Sequence, residues 1–259
     1  FGADGTIDTE DVTDALKFAA QEDMIKGIIF RVDSPGGSPV ASETIRHALV
    51  KAKEKGKKPI YISMGSSAAS GGYWISMYGD KIFADPATIT GSIGVVAGKF
   101  VLGGLFDKLG IKWDSINLDG AHSSMWSLRR GFDDHGRARI NAMVDETYTI
   151  FKDHVSKARK IDPKKIDNIA GGRVYSGSQA VKVGLVDHVG TLDDAVAAMK
   201  KELKYTDDNK IMLRQLPPPE TPETLFYQAM ENLFTGSAAG IKFFMEWQKL
   251  LTALAPWLN

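Results

Sequence analysis

Ser70 stands in the run Gly65-Ser-Ser-Ala-Ala-Ser-Gly-Gly72, where no neighbour carries a side chain large enough to shield a hydroxyl. The run follows an apolar stretch and leads into Tyr73 to Met77, so the spacing predicts a strand, a small-residue turn and a helix, with Ser70 where the helix begins. The first amides of a helix have no intrahelical partner. The N–H of Gly71 would therefore sit beside the Ser70 oxygen, ready to bind developing negative charge. The Ser70 hydroxyl could then face a substrate, beside an amide placed to stabilise the charge that develops in acyl transfer. A second constellation, Asp33-Ser34-Pro35-Gly36-Gly37, ends the apolar run Ile25 to Val32. Two consecutive glycines let backbone amides point into open space, the material of an oxyanion hole, and Gly37 and Gly71 are its candidate donors. Each motif alone also has a plain structural reading: room for a helix to approach the sheet for the run around Ser70, and an ordinary strand-to-helix turn for Pro35-Gly36-Gly37.

The elements that position these residues follow from periodicity. Thr9 to Gln21 predicts a helix, capped by Asp8 or Thr9, with Val12, Ala15, Leu16 and Ala19 at helical spacing. Ile25 to Val32 and Lys58 to Met64 are nearly continuous apolar runs, the pattern of strands covered on both faces. A helix from about Val40 to Lys53 lies between them. Further short strands are expected at Lys81 to Ala84, Ser92 to Val96 and Lys112 to Asn117, with a helix around Phe100 to Leu109. Alternation of strands and helices makes the class α/β. From Asp133 onward helices dominate, at Asp133 to Lys160, Pro163 to Ala170, Gln179 to Val183 and Leu192 to Leu203, and are expected to cover the sheet rather than extend it. Two domains are expected, residues 1–204 and an extension at 205–259. The extension opens on a stiff linker at Pro217-Pro218-Pro219 and continues as an amphipathic helical tail from Thr224 to Leu258. That tail must bury an apolar face on a neighbouring domain or subunit, or else dock on a membrane surface, for which Trp247 and Trp257 are suited.

Composition narrows the function. The 259 residues are 43% hydrophobic and 25% charged, which is ordinary for a globular protein. Lys+Arg and Asp+Glu both number 32, so no broad basic field exists to attract nucleic acid. With no cysteine, thiol nucleophiles, disulfides and thiolate metal sites are excluded. His47, His135, His154 and His188 lack acidic companions at ligand spacing, so solvated or structural roles are expected, with no metal and no cofactor. The G-x-S-x-G elbow of α/β-hydrolases is absent around Ser70. The chain begins with Phe1 and contains no uninterrupted apolar span of about 18 residues; it reads as a fragment of something longer.

Taken together, D-S-P-G-G, then A-A-S-G-G-Y-W, then T-G-S-I-G at Thr90 to Gly94 resembles the signal peptide peptidases of the protease IV family, within the Clp/crotonase superfamily. The resemblance runs from about Thr6 to Ala198 and includes Gly120-Ala121-His122 and Gly172-Arg173-Val174-Tyr175 in the family's order. It implies a Clp/crotonase-like fold of repeated ββα units, and a serine peptidase with a Ser-Lys dyad. In that dyad Ser70 attacks the peptide carbonyl, a neutral lysine takes its proton, and Ser92 orients the lysine. Burial is what brings a lysine down from its usual value of about 10.4 so that it can serve as a base.

The departure from the pattern is at the base. Short family members carry the lysine just after G-A-H, where this chain has Ser123-Ser124-Met125. Long members carry two homologous halves, with the lysine on the first and the serine on the second, and this chain resembles such a second half. A Lys-to-Ser change at Ser123 is the second explanation. His122 acting as base, in the Ser-His manner, is the third. What the resemblance implies for function is an endopeptidase of the bacterial envelope, associated with the inner membrane on its periplasmic side. It would cut apolar peptides such as cleaved signal peptides, work as a homo-oligomer, and draw its lysine from an absent N-terminal half or a neighbouring subunit. The rival readings are a crotonase-type acyl-CoA enzyme and a non-catalytic half serving assembly.

Overall fold

The computed structural model describes residues 7–112, 114, 123–205 and 211–217, with backbone alone at 123 and 124. It divides at 209/210 into two units. Everything below concerns the first, because of the second only 211–217 are described. The expected tail helix, His122 and most of the expected strand Lys112 to Asn117 lie outside the described residues.

Helix α1 (Thr9–Gln21) starts where the Asp8 carboxylate accepts the amides of Glu10 and Asp11, and buries Leu16, Ala19 and Ala20. Strand β1 (Ile28–Ser34) leads through the glycine turn into α2 (Pro39–Gly56). Ser38 caps α2, and a proline at its first position suits a place where no amide is needed. Strand β2 (Ile60–Ala69) and the short helix α3 (Gly71–Ser76) follow, then β3 (Lys81–Ala84), β4 (Ile89–Gly91) and α4 (Gly103–Lys108). The 26-residue helix α5 (Asp134–Arg159) is followed by β5 (Val174–Ser176), α6 (Gly177–Lys182), β6 (His188–Val189) and α7 (Leu192–Glu202).

Strand β2 is the spine of the sheet. It pairs in parallel with β1 along one side, and along the other with β3 first and then β4. Strand β6 adds in parallel to β3 and β5 antiparallel to β4, so the second half does extend the sheet at two places. The expectation that it only covers the sheet is corrected here. Strands of two and three residues carry too little alternation to be read from sequence. The expected strand at Ser92 to Val96 is also displaced, since the pairing segment is Ile89–Gly91, and Lys112 and Asp114 are not in a strand. Pro163 to Ala170 contains a 3₁₀ turn, Ile166–Asn168, in place of the expected helix.

The core lies between the sheet and helices α2, α3 and α5, where Leu49, Ile60, Ile62, Met64, Tyr73, Met77, Ile82 and Phe151 are buried. On the opposite face α7 sets Ala195 and Met199 against Tyr61 and Phe83. Two polar pins tie late elements to the sheet. Arg159 at the end of α5 donates to both oxygens of Asp187, which itself accepts the Ile82 amide, and the buried Tyr73 hydroxyl donates to the Leu185 carbonyl.

Candidate active site

The small-residue run is strand up to Ala69, and the turn is a single residue, Ser70. The sequence predicts a longer turn. The run stays in the sheet because it has partners on both sides, Ala68 facing Ser34 on β1 and Ser67 to Ala69 facing Ile89 to Gly91 on β4. Thr88 and Thr90 add hydroxyl bonds to the carbonyls of Gly65 and Ala68. Between Val32 and Ser34 the register slips, leaving Gly65, Ser66 and Ser67 bulged opposite Asp33. The Asp33 carboxylate fills the gap by accepting from the Ser66 hydroxyl and the Ser67 amide. Gly65 makes room for it: a Cβ there would lie 2.6 Å from the Asp33 carboxyl carbon.

Ser70 takes φ 52° and ψ −117°, a backbone state that residues other than glycine rarely adopt. Its amide donates to the Gly91 carbonyl at 2.9 Å, and its carbonyl accepts the Trp74 amide at 2.9 Å. The strand is thus turned abruptly into α3, with Ser70 half-buried at the corner. The glycine turn after β1 comes directly against this corner. A Cβ on Gly36 would lie 2.8 Å from the Ser70 Cβ and 3.0 Å from the Gly71 nitrogen, one on Gly71 would lie 3.1 Å from the Gly37 nitrogen, and one on Gly72 would lie 2.4 Å from the Ser34 carbonyl oxygen. Gly36 has φ +119° and Gly37 φ +156°. Two turns separated by more than 30 residues of sequence are therefore packed backbone to backbone, and the structure brings Gly37, Ser70 and Gly71 together.

Ser92 follows Gly91, the residue that accepts the Ser70 amide, and so belongs to the same corner. It too has positive φ, 49°, and its amide donates to the Arg173 carbonyl. The Gly172-Arg173-Val174-Tyr175 motif is placed beside it, and the sequence offers no signal for that contact. The Arg173 side chain is turned away and donates to the Ala170 carbonyl.

No lysine hydrogen-bonds Ser70 or Ser92 among the described residues. Lys99 gives its ammonium to the carbonyls of Met125 and Ser127 and lies over the Phe132 ring. Lys53 pairs with Asp80, and Lys81 with Glu202 and the Tyr61 hydroxyl. Ser123 opens the 3₁₀ turn Ser123–Trp126. Among the described residues there is also no His/Cys/Asp/Glu cluster able to hold a metal. His154, on α5, is packed in a cluster of side chains with Tyr78, Trp74 and Glu43.

The family model for peptidase family S49 matches residues 52–206, a segment that includes Ser70 and Ser92. A protein of Enterococcus faecium with the provisional name signal peptide peptidase SppA is 40% identical over 192 residues, covering 74% of this chain and 55% of its own. Protease 4 of Salmonella typhi is 36% identical over 193 residues, covering 74% of this chain and 31% of its own. The chloroplastic serine protease SPPA of Arabidopsis thaliana is 31% identical over 212 residues, 82% of this chain and 31% of its own. Among solved structures, a ClpP1 mutant from Listeria monocytogenes aligns with a TM-score of 0.48 at 16% identity, over 73% of this chain and 86% of that one. The chain belongs to peptidase family S49, a family of serine peptidases. It spans from about a third to about half the length of these relatives.

Proposed function

We propose that this chain is the nucleophile-bearing part of a serine endopeptidase. Ser70 attacks the peptide carbonyl, the amides of Gly37 and Gly71 stabilise the oxyanion, and Ser92 orients a lysine base. The observation that carries the reading is the strained corner at Ser70, pressed against a glycine turn that sets the Gly37 nitrogen close beside Gly71. Such strain persists only where the surroundings over-determine it, and it clusters at working sites. Ser70 Oγ adds to the carbonyl carbon while its proton passes to the base. The tetrahedral oxyanion then collapses, the C–N bond breaks, and the proton is delivered to the leaving amine.

The base comes from outside the described residues, from an N-terminal half or a neighbouring subunit. The relatives' greater length and the engagement of Lys53, Lys81 and Lys99 elsewhere support this. Apolar peptides, cleaved signal peptides among them, are the proposed substrates, and the bacterial envelope, at the periplasmic face of the inner membrane, the proposed site. No helix among the described residues is long and apolar enough to cross a membrane. Homo-oligomeric assembly is supported by exposed apolar side chains at Val96, Phe100, Val101, Leu105 and Leu109.

The test is hydrolysis of an apolar fluorogenic peptide by the complete protein, its Ser70→Ala variant and this chain alone. Loss of turnover in Ser70→Ala with an unchanged fold is expected, and undiminished activity would refute the assignment. Activity in the complete protein but not in the chain alone is expected from an external base. Turnover by the chain alone would mean that the base is internal or comes from a copy of the same chain, and would make His122 the next residue to replace.

A further inference from the structure

The two turns proposed to form the oxyanion hole each open a helix. Gly37 directly precedes Ser38, the cap of α2, and Gly71 is the first residue of α3. The distance between their amides is therefore set by how α2 lies against α3. Among the described residues one hydrogen bond joins the side chains of these helices, from Trp74 Nε1 to Glu43 Oε2 at 2.9 Å. Trp74 is only one turn beyond Ser70, and its own amide donates to the Ser70 carbonyl. The backbone that carries the indole is thereby bonded directly to the nucleophile's peptide unit.

Glu43 is itself held from several sides. Arg46 donates to both carboxylate oxygens, from Nε at 2.7 Å and from Nη2 at 2.6 Å, and its guanidinium lies 5.1 Å from the centre of the Tyr78 ring. His154 Nε2 stands 3.5 Å from Oε2, and its Nδ1 is 3.1 Å from the Tyr78 hydroxyl. Phe151 packs on the indole with ring centres 4.4 Å apart. Trp74 is 4% exposed, so its N–H needs some acceptor. The structure supplies one whose rotamer is locked by a bidentate guanidinium, more constraint than satisfying a single donor requires.

We propose that Glu43 is a positioning residue for the hydrolytic reaction: through the Trp74 indole it fixes α3 against α2, and so sets the spacing of the Gly37 and Gly71 amides around the oxyanion. The proposal rests on the reading of Ser70 as nucleophile. Donors must lie about 2.7–3.1 Å from the place the oxyanion will occupy. A small relaxation of the helix pair should cost transition-state stabilisation while leaving substrate binding largely intact.

The experiment uses the complete protein and its Glu43→Ala, Glu43→Gln, Trp74→Phe and Ser70→Ala variants. Active sites are counted by a fluorophosphonate, which forms an Oγ–phosphorus bond with loss of fluoride. For Trp74→Phe and Glu43→Ala, kcat per titrated site should fall about ten-fold or more while KM changes by less than about three-fold. Affinity for a peptide aldehyde, which forms a tetrahedral adduct, should fall in parallel with kcat. Glu43→Gln keeps an oxygen that accepts the indole N–H but sets its NH2 against the Arg46 guanidinium, so it should recover part of the loss and fall between Glu43→Ala and the unaltered protein. Unchanged kcat per titrated site in Trp74→Phe, with only a lower melting temperature, would overturn the proposal and leave a packing role. Should Glu43→Ala fail to fold, Trp74→Phe and Glu43→Gln still decide. Full turnover in Ser70→Ala would instead remove the nucleophile reading, and the proposal with it.

Discussion

The conformation of Ser70 costs folding energy, of order 1–3 kcal/mol for a residue other than glycine in such a region. The amide bond to Gly91 and the wall of glycines at 36, 71 and 72 hold it there. Removing the side chain therefore separates strain from chemistry. Ser70→Ala keeps a Cβ in the strained state, whereas Ser70→Gly releases it. Both variants should be inactive, but Ser70→Gly should be the more stable by about 1 kcal/mol. Paired urea denaturation curves measure this directly, and a lower midpoint for Ser70→Gly than for Ser70→Ala would mean that the corner carries no strain, because glycine gains freedom in the unfolded chain.

The bulge opposite Asp33 operates at the scale of the strand pair, since it lets β2 leave the register of β1 just before the site. The Asp33 carboxyl is held below its ordinary value, first by the Ser67 amide and then by the Ser66 hydroxyl, against a smaller opposing effect of desolvation. A carboxyl lowered in the folded state adds stability that is fully present above its unfolded value of 3.8 and is lost as pH falls through the folded one. Glu43 acts in the same direction: burial raises it, but the bonds from Arg46 and Trp74 outweigh burial. Stability should consequently decline below about pH 4. Asp33→Asn should flatten part of that decline while lowering stability at neutral pH. The effect is modest, because Asp33 is solvent-exposed. Urea midpoints recorded against pH for both proteins provide the check, and parallel profiles would count against the role of the carboxylate.

At the scale of the molecule, Val96, Phe100, Val101, Leu105 and Leu109 face solvent, with Val96 98% and Phe100 82% exposed. The proposed homo-oligomer would cover side chains of that kind, driven by the hydrophobic effect. Phe100→Glu should shift sedimentation of the complete protein toward smaller species, with the circular dichroism of the fold unchanged. An unaltered distribution would place the assembly surface elsewhere.

Several features were legible in the residues themselves. The α/β class, helix α1 to its terminal residues, strand β3, and the site candidates Ser70, Gly71 and Gly37 follow from local patterns: periodicity for helices, unbroken apolar runs for buried strands, and runs of small residues where backbones must meet. Short strands were not legible. Ile89–Gly91, Val174–Ser176 and His188–Val189 are strands only because β2, β4 and β3, respectively, offer them free edges, and no window of two or three residues encodes a partner. Asp33 filling a bulge and Glu43 holding an indole 31 positions away were hidden for the same reason. The sequence by itself determined which residues are small enough or apolar enough to build this corner. Only the tertiary structure decided that the turn after β1 meets the turn after β2, because the parallel pairing of these strands sets both turns at the same end of the sheet, within van der Waals reach of each other.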